Sequence, residues 1–450
     1  TSHDDLEGHA QALSILIIAN QMKEFRMEAD SLSALRCGPG ADAPGGATSR
    51  RRRKHNTAEG VTTDWHAQSC WGTLVEMTAA EDEAENSRLH IRRDVSLAPL
   101  TTLELGGTAS AFAEIVTAES AREAVRWAGR HELPLAILGG GSNLVVADHG
   151  FSGCVLRFAL RGIDVKTEGE LARVTASAGE EWDSLVGMTV AEGFAGLECL
   201  SGIPGWVGAT PIQNVGAYGQ EVAAVIESAR VLDLASLEER TMTRDDLGLG
   251  YRTSTFREFP GQFLILSVTF LLEKGGSPKI EYRELRRTLG IRRAAPSLRE
   301  VRNAVLELRR SKSMVIEAGD SNRRSVGSFF VNPVLSAESL ASLEERMRWA
   351  GTAPRGHDIP TFPLRDGGFK VPAAWLIEKA GFPKGFRRGA VGISTAHALA
   401  LVHHGGGNTA ELIALARDIR EGVRRAFGIE LQPEPVFLGF PTSNPLEAGG

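Results

Sequence analysis

The first sustained pattern of apolar and polar positions in this chain begins near Leu97. From there "TTLELGGTASAFAEIVTAESAREAVRWAGRHELPLAILGGGSN" reads as two strands, a helix, a third strand and a glycine loop. Alternation marks the strands; apolar residues three and four apart mark the helix, which starts at Ser120 and stops before Pro134. Downstream, "RVTASAG", "ESARVLDL" and "QFLILSVTFLLE" predict strands and "EEWDSLVGMTVAEG" a helix. A break at "KGGSPK", 274–279, suits a domain boundary. Beyond it "SLREVRNAVLELRRSK" predicts an amphipathic helix, "VGSFFVNPVL" a strand, "ESLASLEERMRWAG" and "PAAWLIEKAG" two helices, "HALALVHHG" a strand and "TAELIALARDIREGVRRAFG" a long helix. The closing "ELQPEPVFLGF" is a short strand whose prolines suit an edge or a crossing between domains. No segment repeats.

The first 88 residues differ. They hold "GPGADAPGG", the basic run Arg50 to Lys54 and the acidic "AAEDEAEN", the composition of a disordered extension, with one helix predicted over 12–35. The basic run reads as a solvated face, with contact to nucleic acid or an anionic surface as the alternative. "LSILIIAN" is eight residues long and follows "DDLE", which fits neither a membrane span nor a secretory signal. The division is therefore 1–88 as extension, 89–275 as a first region split near 157, 276–441 as a second domain with a C-terminal return segment, and 442–450 as a tail.

Composition narrows the chemistry. Lys and Arg number 50 against 56 Asp and Glu, a net charge of -6, so nucleic acid is not the partner of the core. Cys37, Cys70, Cys154 and Cys199 lie far apart with no CxxC, which argues against a zinc site or disulfide framework and for a reducing, cytoplasmic setting. His403 and His404 end a strand without a third ligand at metal-like spacing, and His397 is given no role. No metal is expected.

Two loops carry the functional signal. Gly139, Gly140, Gly141, Ser142 and Asn143 let backbone N–H groups converge on an anion, because glycine has no side chain to block approach. The loop lacks a P-loop lysine and is not GxGxxG; alone it reads equally as a tight turn. "GLECLSGIPGWVGATPIQNVGAYGQEV", 196–222, has six glycines and two prolines in 27 residues, yet is rich in apolar side chains. Such a loop suits backbone wrapped around a large flat ligand. Trp206, within it, and Trp375 read as packing residues.

"LGGGSNLVVAD", "GLECLSGIPGWVGATPIQNVGAYGQE", "YRTSTFRE", "RRSK", "VGSFFVNP", "AAWLIEKAG" and "LQPEPVFLG" occur in an order and at a spacing that resemble the UDP-N-acetylenolpyruvoylglucosamine reductase (MurB) family, from about Leu97 to Phe440. The resemblance implies an α+β fold: a two-part FAD-binding region of vanillyl-alcohol-oxidase (PCMH) type and a C-terminal α/β substrate-binding domain. It implies FAD and NADPH as cofactors and a nucleotide-sugar substrate, with a monomer and no membrane partner. Residues 139–143 would hold the FAD pyrophosphate. Gly202, Ile203, Pro204, Gly205, Gly208 and Ala209 would line the isoalloxazine and adenosine portions. So would Asn214, Gly216, Ala217, Tyr218 and Gly219.

In the implied reaction, an enolpyruvyl ether is reduced to a lactyl ether. Ser328 falls on the family's proton donor, and Arg252 and Glu434 on the residues that hold the substrate carboxyl and stabilise the enolate. Glu434 helps an enolate only if protonated or balanced by a cation, so its pKa is expected to be raised. Tyr282 and Lys312 match contacts to the UDP phosphates, and Asn332 adds an amide; Val331 stands where many relatives carry a polar residue. On local sequence alone, Ser328 also reads as a backbone cap, Arg252 as a surface partner of Glu258, Glu434 as solvated and Tyr282 as a half-buried aromatic at a helix start. Two other functions share the loops: an FAD-dependent hydroxy-acid oxidase or dehydrogenase, and a non-catalytic nucleotide-sugar binding protein. Neither explains the trio.

Overall fold

Three parallel strands end beside the glycine loop. β1 (Arg92–Ser96), β2 (Thr108–Ile115), β3 (Leu135–Leu138) and β5 (Phe151–Phe158) form one sheet in the order β1-β2-β5-β3, with β2, β5 and β3 parallel. The helix α1 (Ala118–Arg130) makes the crossover from β2 to β3, as parallel pairing requires. It starts two residues ahead of the expected Ser120. Thr117 is the cap, and the Ser120 hydroxyl closes a reciprocal capping box from inside the first turn. Its apolar stripe, including Ala121, Ala124, Val125 and Ala128, is buried against the sheet.

The structure is a computed structural model that describes residues 89–290, 296–349, 359–364 and 367–447, all in one unit. The N-terminal extension, its helix over 12–35, Arg50 to Lys54, Cys37 and Cys70 lie outside the described residues.

After β4 (Leu144–Val146) a second sheet runs antiparallel in the order β9-β8-β10-β7-β6. Its strands are β6 (Ile163–Glu168), β7 (Leu171–Ser177), β8 (Ile226–Asp233), β9 (Glu239–Thr243) and β10 (Phe263–Lys274). Alternate residues of β7 and β10, among them Val174, Ala176, Val268 and Phe270, are buried with α2 (Trp182–Ala191). The other face carries Thr175, Ser177, Ser267 and Thr269, while Leu232, Leu264 and Leu266 pack into the core of the first sheet. A short helix, α3 (Thr255–Glu258), precedes β10.

The C-terminal part begins with α4 (Leu298–Ser311), opened by a Ser297–Glu300 capping box. Then come β11 (Ser325–Ser328), α5 (Ala337–Trp349), α6 (Ala373–Lys379), β12 (Val391–Ile393), β13 (Ala400–His403) and α7 (Thr409–Phe427). Strands β11, β13 and β12 pair in that order. Gly428 ends α7 in the left-handed region at φ 71°.

Two sequence expectations fail for identifiable reasons. "TTLEL" is a loop. Leu103 and Leu105 alternate as in a strand, but both plug into the C-terminal core with Phe329 and Phe330, and Glu104 between them sits at φ 54°. "VGSFFVNPVL" is not one strand: β11 stops at Ser328, Phe330 bridges to Pro433 of the return segment, and Val334–Leu335 forms a separate short strand. Consecutive Phe329 and Phe330 are both buried, which no alternating strand allows.

The closing segment crosses between the parts. β14 (Val436–Leu438) runs parallel to β4, at the exit of the glycine loop. Residues beyond it dock on α7, where Arg417 donates to the Pro445 carbonyl at 3.0 Å and Arg420 to that of Leu446 at 2.9 Å. No helix among the described residues is long and apolar enough to cross a membrane.

Candidate active site

The glycine loop is bare on one side only. An added Cβ at Gly139 meets nothing within 4 Å, whereas one at Gly141 would stand 2.1 Å from the Leu100 carbonyl oxygen, at φ 64°. The N–H groups of Gly140, Gly141, Ser142 and Asn143 have no acceptor among the described residues. Free donors around an open face at the carboxyl ends of parallel strands suit a pyrophosphate. The residues present fit the phosphates of FAD.

The second loop packs on the first. Ser142 donates to the Pro204 carbonyl at 3.2 Å, and Trp206 lies beside Gly140. Two of its residues serve the protein's own geometry. Gly208 is glycine because a Cβ would approach that of Ala178 to 2.6 Å. Asn214, at φ 45°, accepts from Ala223 N–H and donates to Glu221 and to the Gly250 carbonyl, so its amide is used within the fold.

That last bond holds the turn bearing Arg252. Gly250 and Thr253 pair across it, and Arg257 donates to the Arg252 carbonyl at 2.8 Å. Arg252 takes φ 55°, a strained conformation for a residue with a side chain. Its Nε stands 3.4 Å from Glu434 Oε1, so its carboxylate partner here is Glu434.

Backbone pairing brings Glu434 to Ser328. Glu434 N–H donates to the Phe329 carbonyl, Val331 N–H to that of Gln432, and Val436 N–H to that of Asn143, each at 2.9 Å. The Asn143 amide donates to the Glu434 carbonyl at 3.3 Å. One return segment thus joins the glycine loop to the Ser328 strand, with Glu434 between. Gly327, at φ 73°, turns the chain immediately before Ser328.

These elements enclose one cleft with about 870 Å³ of empty space, part of it open to solvent. Ser328, Arg252 and Glu434 line it with Ser142, Asn143 and Ile203; Pro204, Gly216 and Ala217 also do so. Burial pushes the Glu434 carboxyl above the ordinary range, against the pull of Arg252 and Arg257. A protonated carboxyl beside a guanidinium can donate a hydrogen bond to developing negative charge without adding an anion.

A side cluster holds Tyr218, Tyr282 and Lys312. The two rings meet edge-on at 5.4 Å, and Lys312 Nζ lies 5.9 Å from the Tyr218 ring centre. Lys312 pairs with Glu284 at 2.7 Å; burial lowers its ammonium pKa, but Glu284 and Tyr218 hold it above the ordinary value. Tyr282, half exposed, stands at the N-terminal end of a short helix over Arg283–Thr288 and makes no side-chain cap. Asn332 is not part of the cleft, and its Oδ1 accepts from Ala373 N–H at 2.9 Å at the start of α6.

Sequence reasoning missed Arg309 and Arg323, which also line the cleft. Arg309 is buried, four residues after Val305 on the apolar stripe of α4, so its helical position was a usable signal. Burial lowers its pKa, and its guanidinium donates to the Met314 carbonyl at 2.8 Å. Arg323 had no local signal. Cys154 and Cys199 are buried free thiols pushed up to about 12 by desolvation, and no metal-holding cluster occurs among the described residues. His403 is buried, with Nδ1 3.1 Å from the Leu103 carbonyl.

Residues 109–236 match the model of an FAD binding domain, and residues 319–438 that of the UDP-N-acetylenolpyruvoylglucosamine reductase C-terminal domain. The UDP-N-acetylenolpyruvoylglucosamine reductase of Thermobifida fusca is 46% identical over 352 residues, covering 77% of this chain and 98% of that protein. That of Saccharopolyspora erythraea is 47% identical over 353 residues, covering 76% and 94%. Among solved structures, the UDP-N-acetylenolpyruvylglucosamine reductase of Thermus caldophilus is 25% identical with a TM-score of 0.53, covering 77% of this chain and 99% of that one. With a domain match at each end of the described fold and relatives aligned over nearly their whole length, the chain belongs to the UDP-N-acetylenolpyruvoylglucosamine reductase (MurB) family.

Proposed function

We infer that the chain is an FAD-dependent oxidoreductase that uses NADPH to convert UDP-N-acetyl-3-O-(1-carboxyvinyl)glucosamine to UDP-N-acetylmuramate for peptidoglycan synthesis. It works as a cytoplasmic monomer. FAD, when bound, carries hydride from NADPH to the vinyl carbon of the substrate.

The protein supplies position, charge and a proton. Residues 139–143 hold the cofactor phosphates through backbone N–H groups, and the 202–219 loop lines the rest of the cofactor. Arg252 holds the substrate carboxylate through its planar fork. Glu434, protonated, donates to the carboxylate oxygen as enolate charge grows. Ser328 gives its hydroxyl proton to the neighbouring carbon; a bare hydroxyl is a weak acid, so the site must stabilise the oxygen it leaves or relay a proton to it. Tyr282 and Lys312 take the substrate phosphates, with Lys312 leaving Glu284 to do so, while Asn332 stays outside the cleft and holds the start of α6.

The observation that carries this reading is the meeting of Ser328, Arg252 and Glu434 in the cleft that also holds Ser142 and Asn143. The test is to reduce the purified flavoprotein with NADPH and add UDP-N-acetylenolpyruvoylglucosamine. Return of the oxidised flavin absorbance is expected. Turnover of a simple hydroxy acid with no response to the UDP-sugar would establish the oxidase alternative.

A further inference from the structure

The glycine loop is half of a phosphate site. It offers free N–H donors, but residues 139–143 contain no cation, while a dinucleotide pyrophosphate brings two negative charges. A guanidinium arrives from the other domain. Arg323, just ahead of β11, lines the same cleft as Ser142 and Asn143.

Its place is set by the 101–105 loop, in which Leu103 and Leu105 alternate like a strand. Thr102 N–H donates to the Gly141 carbonyl at 3.1 Å, and its hydroxyl donates to the Ser325 carbonyl at 2.5 Å. One residue therefore ties the glycine loop to the segment that carries Arg323. Two residues on, Glu104 turns through φ 54° and takes Arg323 Nη1 at 2.5 Å on one oxygen and Arg324 Nε on the other. Burial pushes the Glu104 carboxyl up, but the two guanidiniums outweigh it and hold the pKa below the ordinary value, so the group is ionised at neutral pH.

The charge count leaves a surplus. Two guanidiniums share one carboxylate, and no second carboxylate lies within ion-pair distance of either among the described residues. The remaining N–H groups of Arg323 have no protein acceptor among the described residues. A partly buried cation with free donors, lining the same cleft as Ser142 and Asn143 of the loop with its free backbone N–H groups, calls for an anion.

We propose that Arg323, aimed by Glu104, is the cation of the cofactor site and takes a phosphate oxygen of the FAD pyrophosphate. The proposal rests on reading residues 139–143 as the pyrophosphate loop. The competing source of the same chemistry is the diphosphate of the UDP-sugar.

Both are tested on the full chain stripped of flavin, by titrating FAD against R323Q, R323K, E104Q and G139V and following flavin fluorescence. Substrate KM is read in parallel at saturating FAD, and thermal unfolding checks that each variant folds. R323Q is expected to raise the FAD Kd about 10-fold or more, the size of a lost charge-assisted bond, with a weaker salt dependence than the parent. R323K keeps the charge and should stay within about threefold. E104Q frees the guanidinium and should raise Kd by about threefold, with substrate KM unmoved. The side chain added by G139V enters only the open face of the loop, where Gly139 has no neighbour, so this variant should fold and lose FAD. Weak binding by G139V with R323Q within about twofold of the parent overturns the role of Arg323 alone, and a raised substrate KM in R323Q then moves the arginine to the UDP-sugar. Full affinity in G139V overturns the loop reading itself, and the proposal with it.

Discussion

The glycine loop and the Ser328–Arg252–Glu434 group line one cleft but are made in opposite ways. The loop works by what it omits: a contiguous stretch whose backbone donors are left free and whose outward face, at Gly139, is open. The trio works by what it contains, three side chains from separate parts of the chain, held by a strained turn at Arg252, a left-handed glycine before Ser328 and a return segment that carries Glu434. A backbone site can be read from a short string of residues. A side-chain site exists only once the chain has folded.

Changes to one region should therefore be separable from changes to the other. The largest effect is expected for Arg252→Met. It removes the proposed carboxylate clamp and the ion-pair partner of Glu434, so kcat/KM should fall by about 10³-fold or more while the flavin stays bound. Steady-state kinetics with absorbance at flavin wavelengths checks both; loss of flavin would mean that the two regions are not separable.

Next is a contrast within the loop. Gly141→Ala places a Cβ 2.1 Å from the Leu100 carbonyl oxygen at φ 64° and should lower stability by about 1–3 kcal/mol in denaturant unfolding. Gly139→Ala, which meets nothing, should leave stability within about 0.5 kcal/mol. Equal costs would show that the open face is not open.

The smallest effect concerns pH. Because the folded Glu434 pKa is raised, the protonated carboxyl is fully present below its ordinary value of 4.5 and is lost as pH rises through the folded value. The kcat profile of the parent should fall on that alkaline limb. Glu434→Gln, a permanently neutral donor, should flatten the limb and lower kcat by about 10-fold. An unchanged limb would assign the titration to another group.

Much of this was legible in the sequence, for physical reasons that also explain the failures. Capping residues and apolar spacing locate α4 and α7, and the glycines advertise the loop directly. The loop at 101–105 imitates a strand because Leu103 and Leu105 alternate, yet both are buried in the core of a distant segment, which no local pattern reveals. Edge strands β6 and β9 were missed because they bury almost nothing. The same blindness hid Arg323: its signal is the partner Glu104, more than two hundred positions away.

The central claim is that Ser328 acts on the substrate and not on the cofactor. Stopped-flow separation of the two half-reactions in Ser328→Ala tests it most directly. Reduction of the flavin by NADPH should proceed within about twofold of the parent rate, while reoxidation by UDP-N-acetylenolpyruvoylglucosamine should slow by about 10³-fold. Equal slowing of both halves, or reoxidation at the parent rate, would contradict it.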